Sequence, residues 1–322
     1  MPSSGETYSS MRRGTWHAST MPPSALIAVA LVATLVSPVS ACTNLLVSAG
    51  ATADGSTLLA YNADSGSLYG SLGVYPAAEH APNATREVWD WDSSVYLGAL
   101  PEASSTLAVS GNANAAGLVI GETTFGGIEQ LDGGGHGHVV DYGSLIWITL
   151  QRAEGAMEAI ELMDNLTATH GYASSGESFS IVDPGGDAWL LELIGKGKER
   201  GTVWVATKVP DTAVLAHANQ ARTTTFLGQS ADGALPCATL PQARAMSEAK
   251  RAGLVCLYAA DVVDFEVAQG LYHDSEQQEG STAVLMAERA LGDAQGRHAI
   301  ARTPRARIGP VSYTHLTLPT KA

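Results

Sequence analysis

An α+β fold is predicted for this chain from three patterns. These are several apolar runs of strand length, one long apolar stripe at helical spacing, and turn residues between them. Many strands with long amphipathic helices beyond the sheet edges favour layered packing, because each element must bury an apolar face. The 322 residues, 45% of them apolar, suffice for one large domain or two small ones. No internal repeat or long linker argues for two.

Taken in order, residues 1–41 read as an export leader. Arg12 and Arg13 form the positive region, Ala25 to Val36 the apolar run, and Pro38-Val39-Ser40-Ala41 places small residues at the cut. Met11 and Met21 are alternative starts. The apolar run falls short of the about 20 residues a spanning helix needs, and no second membrane segment follows. Thr43 to Ser48 predicts a strand, Ala51 to Gly55 a turn carrying Asp54 and Gly55, and Thr57 to Tyr61 a second strand. Apolar residues on both alternating faces predict strands covered on both sides. A hairpin symmetric about Ala53 places Cys42 opposite Asp64, with Cβ atoms about 5 Å apart.

Further strands are predicted at Leu118 to Thr124, Phe179 to Val182, Trp189 to Ile194, Val203 to Lys208 and Val214 to His217. Asp183-Pro184-Gly185-Gly186-Asp187 is a turn. The clearest helix is expected from Ser144 to His170. Ile146, Leu150, Ala153, Met157, Ile160 and Met163 line one face there, and Arg152, Glu154, Glu158 and Glu161 the other. His170 and Gly171 suit its end.

Formal net charge is −14, and loss of residues 1–41 removes two arginines and one glutamate, moving the balance one unit further negative. Such a chain repels nucleic acid and anionic membrane. Three cysteines in an exported chain leave one over after pairing. With Cys42 as the odd thiol, Cys237 and Cys256 either pair or stay reduced; the sequence leaves both open.

Cleavage after Ala41 would put a thiol and a free α-amine on one residue, Cys42. Their ordinary pKa values, about 8.5 and about 7.7 to 8.0, leave a fraction of the amine able to take the thiol proton near neutrality. A nucleophile activated by its own terminal amine is a recognised scheme. Asp64 or Asn62 would hold the amine.

Cys42-Thr43-Asn44-Leu45-Leu46-Val47, Ala53-Asp54-Gly55-Ser56-Thr57 and Asn62-Ala63-Asp64-Ser65 open a series of motifs. It continues through Gly117 to Thr124, Asp141 to Leu145, Ser174 to Phe179 and Ala216 to Arg222. Together they resemble the N-terminal-nucleophile cysteine dipeptidases of the dipeptidase A family, relatives of penicillin V acylases and conjugated-bile-salt hydrolases. The resemblance spans Cys42 to Phe226 and fades toward Gly270. It implies a four-layer αββα sandwich and a hydrolase needing no metal or organic cofactor. Asn219 aligns with the asparagine that stabilises the oxyanion in the acylases, and Thr123 and Thr124 fall where those relatives have another asparagine donor. Tyr61 stands where the acylases carry an arginine.

Glu122 and Arg222 are candidates for the charged ends of a short peptide: a carboxylate attracts an α-ammonium, and a guanidinium grips a carboxylate. His217 is read as a buttress, and Ser175 to Ser178 as a loop. The run Gly133 to His138 is read as a flexible loop rather than a zinc site, and Gly195 to Gly201 as a charged hairpin turn.

The chain therefore divides into a signal peptide (1–41), a hydrolase domain (42–280) and an unmatched tail (281–322). Ser312 to Thr320 has neither helical nor strand period and reads as foreign or frame-shifted sequence. The expected activity is an exported dipeptidase working through an acyl-thioester on Cys42, with dipeptides as partners and self-association left open. Two rivals stand beside it. One is an acylase on nonpeptide amides; the other is a lipidated binding protein, since Val39-Ser40-Ala41-Cys42 also resembles a lipoprotein cleavage box.

Overall fold

The computed structural model describes residues 42–64, 72–223 and 237–270. The chain opens with β1 (Thr43–Val47) and β2 (Leu58–Asn62). Seven further short strands follow: β3 (Val74–Tyr75), β4 (Ala78–Glu79), β5 (Thr85–Trp89), β6 (Tyr96–Pro101), β7 (Ser105–Thr106), β8 (Val109–Ser110) and β9 (Ala113–Asn114). The longer β10 (Val119–Gly126) leads to helices α1 (Tyr142–Leu150) and α2 (Ala156–His170). Then come β11 (Gly176–Val182), β12 (Ala188–Lys196), β13 (Glu199–Lys208) and β14 (Val214–His217). The described chain closes with β15 (Cys237–Thr239), α3 (Leu240–Ala245), α4 (Glu248–Ala252), β16 (Cys256–Tyr258) and α5 (Val262–Ala268).

Nine strands form one sheet in the order β15-β16-β13-β12-β11-β10-β9-β8-β3, and three form another in the order β14-β1-β2. Two apolar cores separate the layers. The larger lies between the nine-stranded sheet and α1 and α2, where Leu145, Ile148, Ile160 and Met163 meet Phe179, Leu191, Leu193 and Trp204. The smaller joins the other face of that sheet to the three-stranded one through Leu46, Val182, Leu190, Val209 and Leu215. The described residues thus stack as helices, large sheet and small sheet, an α+β arrangement. No helix among them is long and apolar enough to cross a membrane.

Two expectations are corrected. The helical stripe does not run unbroken from Ser144 to His170, because the chain leaves the helix between Leu150 and Ala156. Gly155 is a poor helix former, and the Asn114 amide donates to the carbonyls of Leu150 (2.8 Å) and Ala153 (2.7 Å) that the break would otherwise orphan. The second correction concerns β1 and β2. Their inner face carries Asn44, Leu46, Leu59 and Tyr61, but Leu45 and Leu58 on the outer face are 43% and 52% exposed. Among the described residues the hairpin is covered on one side only.

Candidate active site

Cys42 sits immediately before β1, and β1 lies between β14 and β2. The register pairs Thr43 with Asn62 and Asn44 with Tyr61, one residue away from a hairpin symmetric about Ala53. A one-residue change of register moves side chains to the opposite face. Continued by one step, it sets Ala63 across from Cys42, so Asp64 is not the directly opposed residue. Asp64 reaches the thiol through its backbone, whose N–H donates toward Sγ. Asn62 falls on the exposed outer face with Thr43 and Leu45, turned away from the sulfur's face.

Burial pushes the Cys42 thiol above its ordinary range. The Asp64 N–H lowers it, the charges of Glu122 and Asp64 raise it, and the Asn219 amide lowers it again. The net result is a protonated thiol that needs a base. Cys42 is the free cysteine of the described chain, since Cys237 and Cys256 form a disulfide between adjacent positions of β15 and β16.

The strand facing this thiol is β10. Its carbonyls at Glu122 and Thr124 each receive a side-chain amide, one from the small sheet and one from the turn after it: Asn44 Nδ2 donates to Glu122 O (2.6 Å), and Asn219 Nδ2 to Thr124 O (2.5 Å). These two bonds pin the sheets together where the cysteine emerges. A primary amide has two N–H groups, so Asn219 serves Thr124 with one and the sulfur with the other. Gly121 makes the approach possible, because a Cβ there would come within 2.3 Å of Asn44 Oδ1.

Glu122 is nearly buried and accepts a hydrogen bond from the Tyr61 hydroxyl. Across the strand pair, Glu177 accepts from the Thr124 hydroxyl at 3.0 Å. Burial first, and then the charge of Glu122, raise Glu177 well above the usual carboxylate range. Ser175 to Ser178 was expected as a loop, yet Gly176 to Ser178 belong to β11, a strand buried along its whole length.

Thr123 and His217 form a separate buried group. The imidazole contacts the Thr123 hydroxyl through Nδ1 and the Ser180 hydroxyl through Nε2, each at 2.8 Å. Burial, with a contribution from Arg222, lowers the His217 pKa to about 4, so the ring is neutral at ordinary pH. The Thr123 hydroxyl is engaged with that ring, whereas Thr124 bonds Glu177. Arg222 is half-buried, and its backbone N–H donates to Glu192 at 2.7 Å, as does that of Thr223 at 2.5 Å. Glu192 thereby anchors the turn that follows Asn219. The Arg222 Nε is buried without a partner among the described residues. In the Gly133 to His138 run, the His138 ring contacts the Gly197 carbonyl at 2.9 Å.

Among the sequence-derived candidates, Cys42, Asp64, Asn219, Glu122 and Thr124 come together, while Asn62 and the Thr123 hydroxyl do not join them. Asn44 and Glu177 carried no assigned role in the sequence, although both lie within its quoted motifs. Glu177 fell in a segment read as a loop, so its place inside a buried strand came only from the structure.

A half-buried thiol just ahead of a strand, beside an asparagine amide and near buried carboxylates, is compatible with a cysteine hydrolase on an α+β scaffold. A sequence model described as Peptidase family C69 matches residues 74–246, more than half of the chain, and the chain belongs to that family of cysteine peptidases. It is a dipeptidase-type enzyme. No individual curated protein matches at a significant level. The matched segment contains Glu122, Glu177, Asn219 and Arg222 but begins after Cys42 and Asp64. The hydrogen bond from Asn219 and the charge of Glu122 tie the thiol to it.

Proposed function

We propose that the protein is an exported N-terminal-nucleophile dipeptidase that becomes active when its leader is removed at Cys42. The supporting observation is the convergence of the free thiol with Asp64, Asn219 and Glu122 at the start of β1. The α-amine of residue 42 takes the Sγ proton, and sulfur attacks the scissile carbonyl. The Asn219 N–H that faces the sulfur turns to donate to the oxyanion in a water-poor setting. On collapse the C–N bond breaks, the ammonium returns its proton to the departing amine, and an acyl-thioester remains on Cys42. The amine then deprotonates a water molecule, which releases the acid and restores the thiol.

Asp64 holds the terminal amine, Glu122 attracts the substrate α-ammonium and Arg222 grips its carboxylate. The scaffold in this reading is the four-layer αββα sandwich, residues 42–280 forming the hydrolase domain and residues 281–322 lying outside it. A disulfide accords with export to an oxidising compartment. Short peptides are the substrates, and the chemistry needs no cofactor.

The test is Cys42→Ser in protein whose N-terminus is verified by intact mass. Dipeptide turnover should fall at least about a hundredfold with an unchanged far-ultraviolet spectrum, since an oxygen at the same position is far less readily ionised. Undiminished hydrolysis would place the nucleophile elsewhere, and a diacylated residue 42 would favour the lipoprotein reading.

A further inference from the structure

We propose that the cleft bounded by β3, β5 and α1 is a binding site for a small quaternary ammonium compound. Its volume is about 490 Å³, inside the range of about 300 to 1,000 Å³ usual for small-molecule sites. Four aromatic residues line it: Tyr75 on β3, Trp89 at the end of β5, Trp91 just beyond it, and Trp147 on α1. Trp147 is the middle of a continuous aromatic wall, its ring centroid 4.0 Å from that of Trp91 and 5.9 Å from that of Tyr75. Trp89 packs edge-on against Tyr96 at 5.0 Å and is still 51% exposed. Apolar surface gathered in the open around a cleft marks a place where a ligand displaces water.

The wall is held in place by the fold. Trp147 donates its indole N–H to the Gly111 carbonyl at 3.1 Å, and the Trp91 backbone N–H donates to Asp141 at 2.8 Å. Gly143 lets Trp91 lie against α1, because a Cβ there would come within 2.7 Å of the tryptophan side chain. A ligand therefore meets rings already ordered, which lowers the entropy lost on binding.

The charges on the lining favour a cation. Glu87 and Asp90 bring carboxylates, and neither takes part in an ion pair among the described residues. Arg86, the basic residue of the lining, is held by Glu102 at 2.7 Å. The cation–π contact among the described residues is Lys196 over Phe265, so no ring of the cleft has a cation of its own there. Aromatic faces attract cations, tryptophan most strongly.

The supply of hydrogen-bond acceptors then selects among cations. Ring faces offer no conventional acceptor, and Asp90 Oδ1 already receives the Ser93 N–H (2.8 Å) and hydroxyl (2.5 Å). A primary ammonium carries three donors, and those left unmet on losing water are costly. A quaternary ammonium has none, and its methyl groups lie against the rings while its charge faces the carboxylates. The lining shares no residue with the groups that act on the Cys42 thiol, so this site and the peptidase chemistry can fail separately.

Ligand-observed NMR titrations of the full chain test this with choline, its neutral isostere 3,3-dimethylbutanol and its primary-amine analogue ethanolamine. Choline should bind at least about tenfold more tightly than either. Trp89→Leu and Glu87→Gln, both at exposed positions, should each cut that preference to below about threefold. Equal affinity for choline and 3,3-dimethylbutanol would overturn the proposal, as would tighter binding of ethanolamine or no binding of choline at about 10 mM. These comparisons use the unsubstituted chain, so a variant that fails to fold cannot shelter the assignment. Choline binding unchanged in both variants, each shown to be folded, would place the ligand elsewhere and overturn it too.

Discussion

His217 shows how burial sets the behaviour of a single residue. It occupies the inner face of β14 with a hydroxyl at each ring nitrogen, and its pKa of about 4 lies below the ordinary histidine value. Because the unfolded chain binds that proton more readily, the contribution of His217 to stability is complete above pH 6.5 and drains away as pH falls toward 4. At about 1.4 kcal/mol per pH unit the loss by pH 4 approaches about 3 kcal/mol. His217→Gln keeps a donor and an acceptor but cannot acquire the charge. Its melting temperature should decline less steeply than the parent's between pH 7 and pH 4, and identical slopes would contradict the assignment. The histidine was visible in the sequence as a buttress, but its neutrality depends on burial between strands, with a contribution from Arg222, which only the fold supplies.

At the level of elements, strand existence was legible while edges and register were not. β14 agrees with its expected range, and β10 to β13 extend beyond theirs by one to four residues at one or both ends. The single-residue change in the β1–β2 pairing decided far more, because it put Tyr61 on the inner face and Asn62 outside. The sheet edge poses a further case. β15 and β16 are short parallel neighbours whose cysteines face each other in register. Cross-linking across 19 positions restrains the unfolded chain and stabilises by about 3 kcal/mol in the loop-entropy account. Adding reductant should lower the urea midpoint by a corresponding amount while leaving the Cys42 environment intact. A midpoint indifferent to reductant would show that this edge contributes little to global unfolding.

For the molecule as a whole, two sheets meet so that the chain segment beginning at residue 42 is clamped between elements from distant parts of the sequence. Asn44 and Asn219 bridge to β10 across spans of 78 and 95 residues. The clamp leaves the thiol half-buried, with its pKa raised by burial, and in the proposed mechanism activity depends on a base generated by processing. A variant carrying one extra residue before Cys42 should fold and melt like the processed protein yet hydrolyse dipeptides at least about a hundredfold more slowly, since an amide nitrogen is not basic. Full activity with that extension, measured beside its intact mass, would exclude the terminal amine.

The sequence by itself determined the α+β class, most of the strands, the odd cysteine and the motif series that marks the family, because these reside in local periodicity and residue identity. Only the tertiary structure decided the Cys237–Cys256 bridge, the break after Leu150, the face that Asn62 occupies and the pairing of Glu122 with Glu177. Each of those depends on a contact between segments far apart in the chain, and pairwise distances across a fold are not encoded in any local pattern.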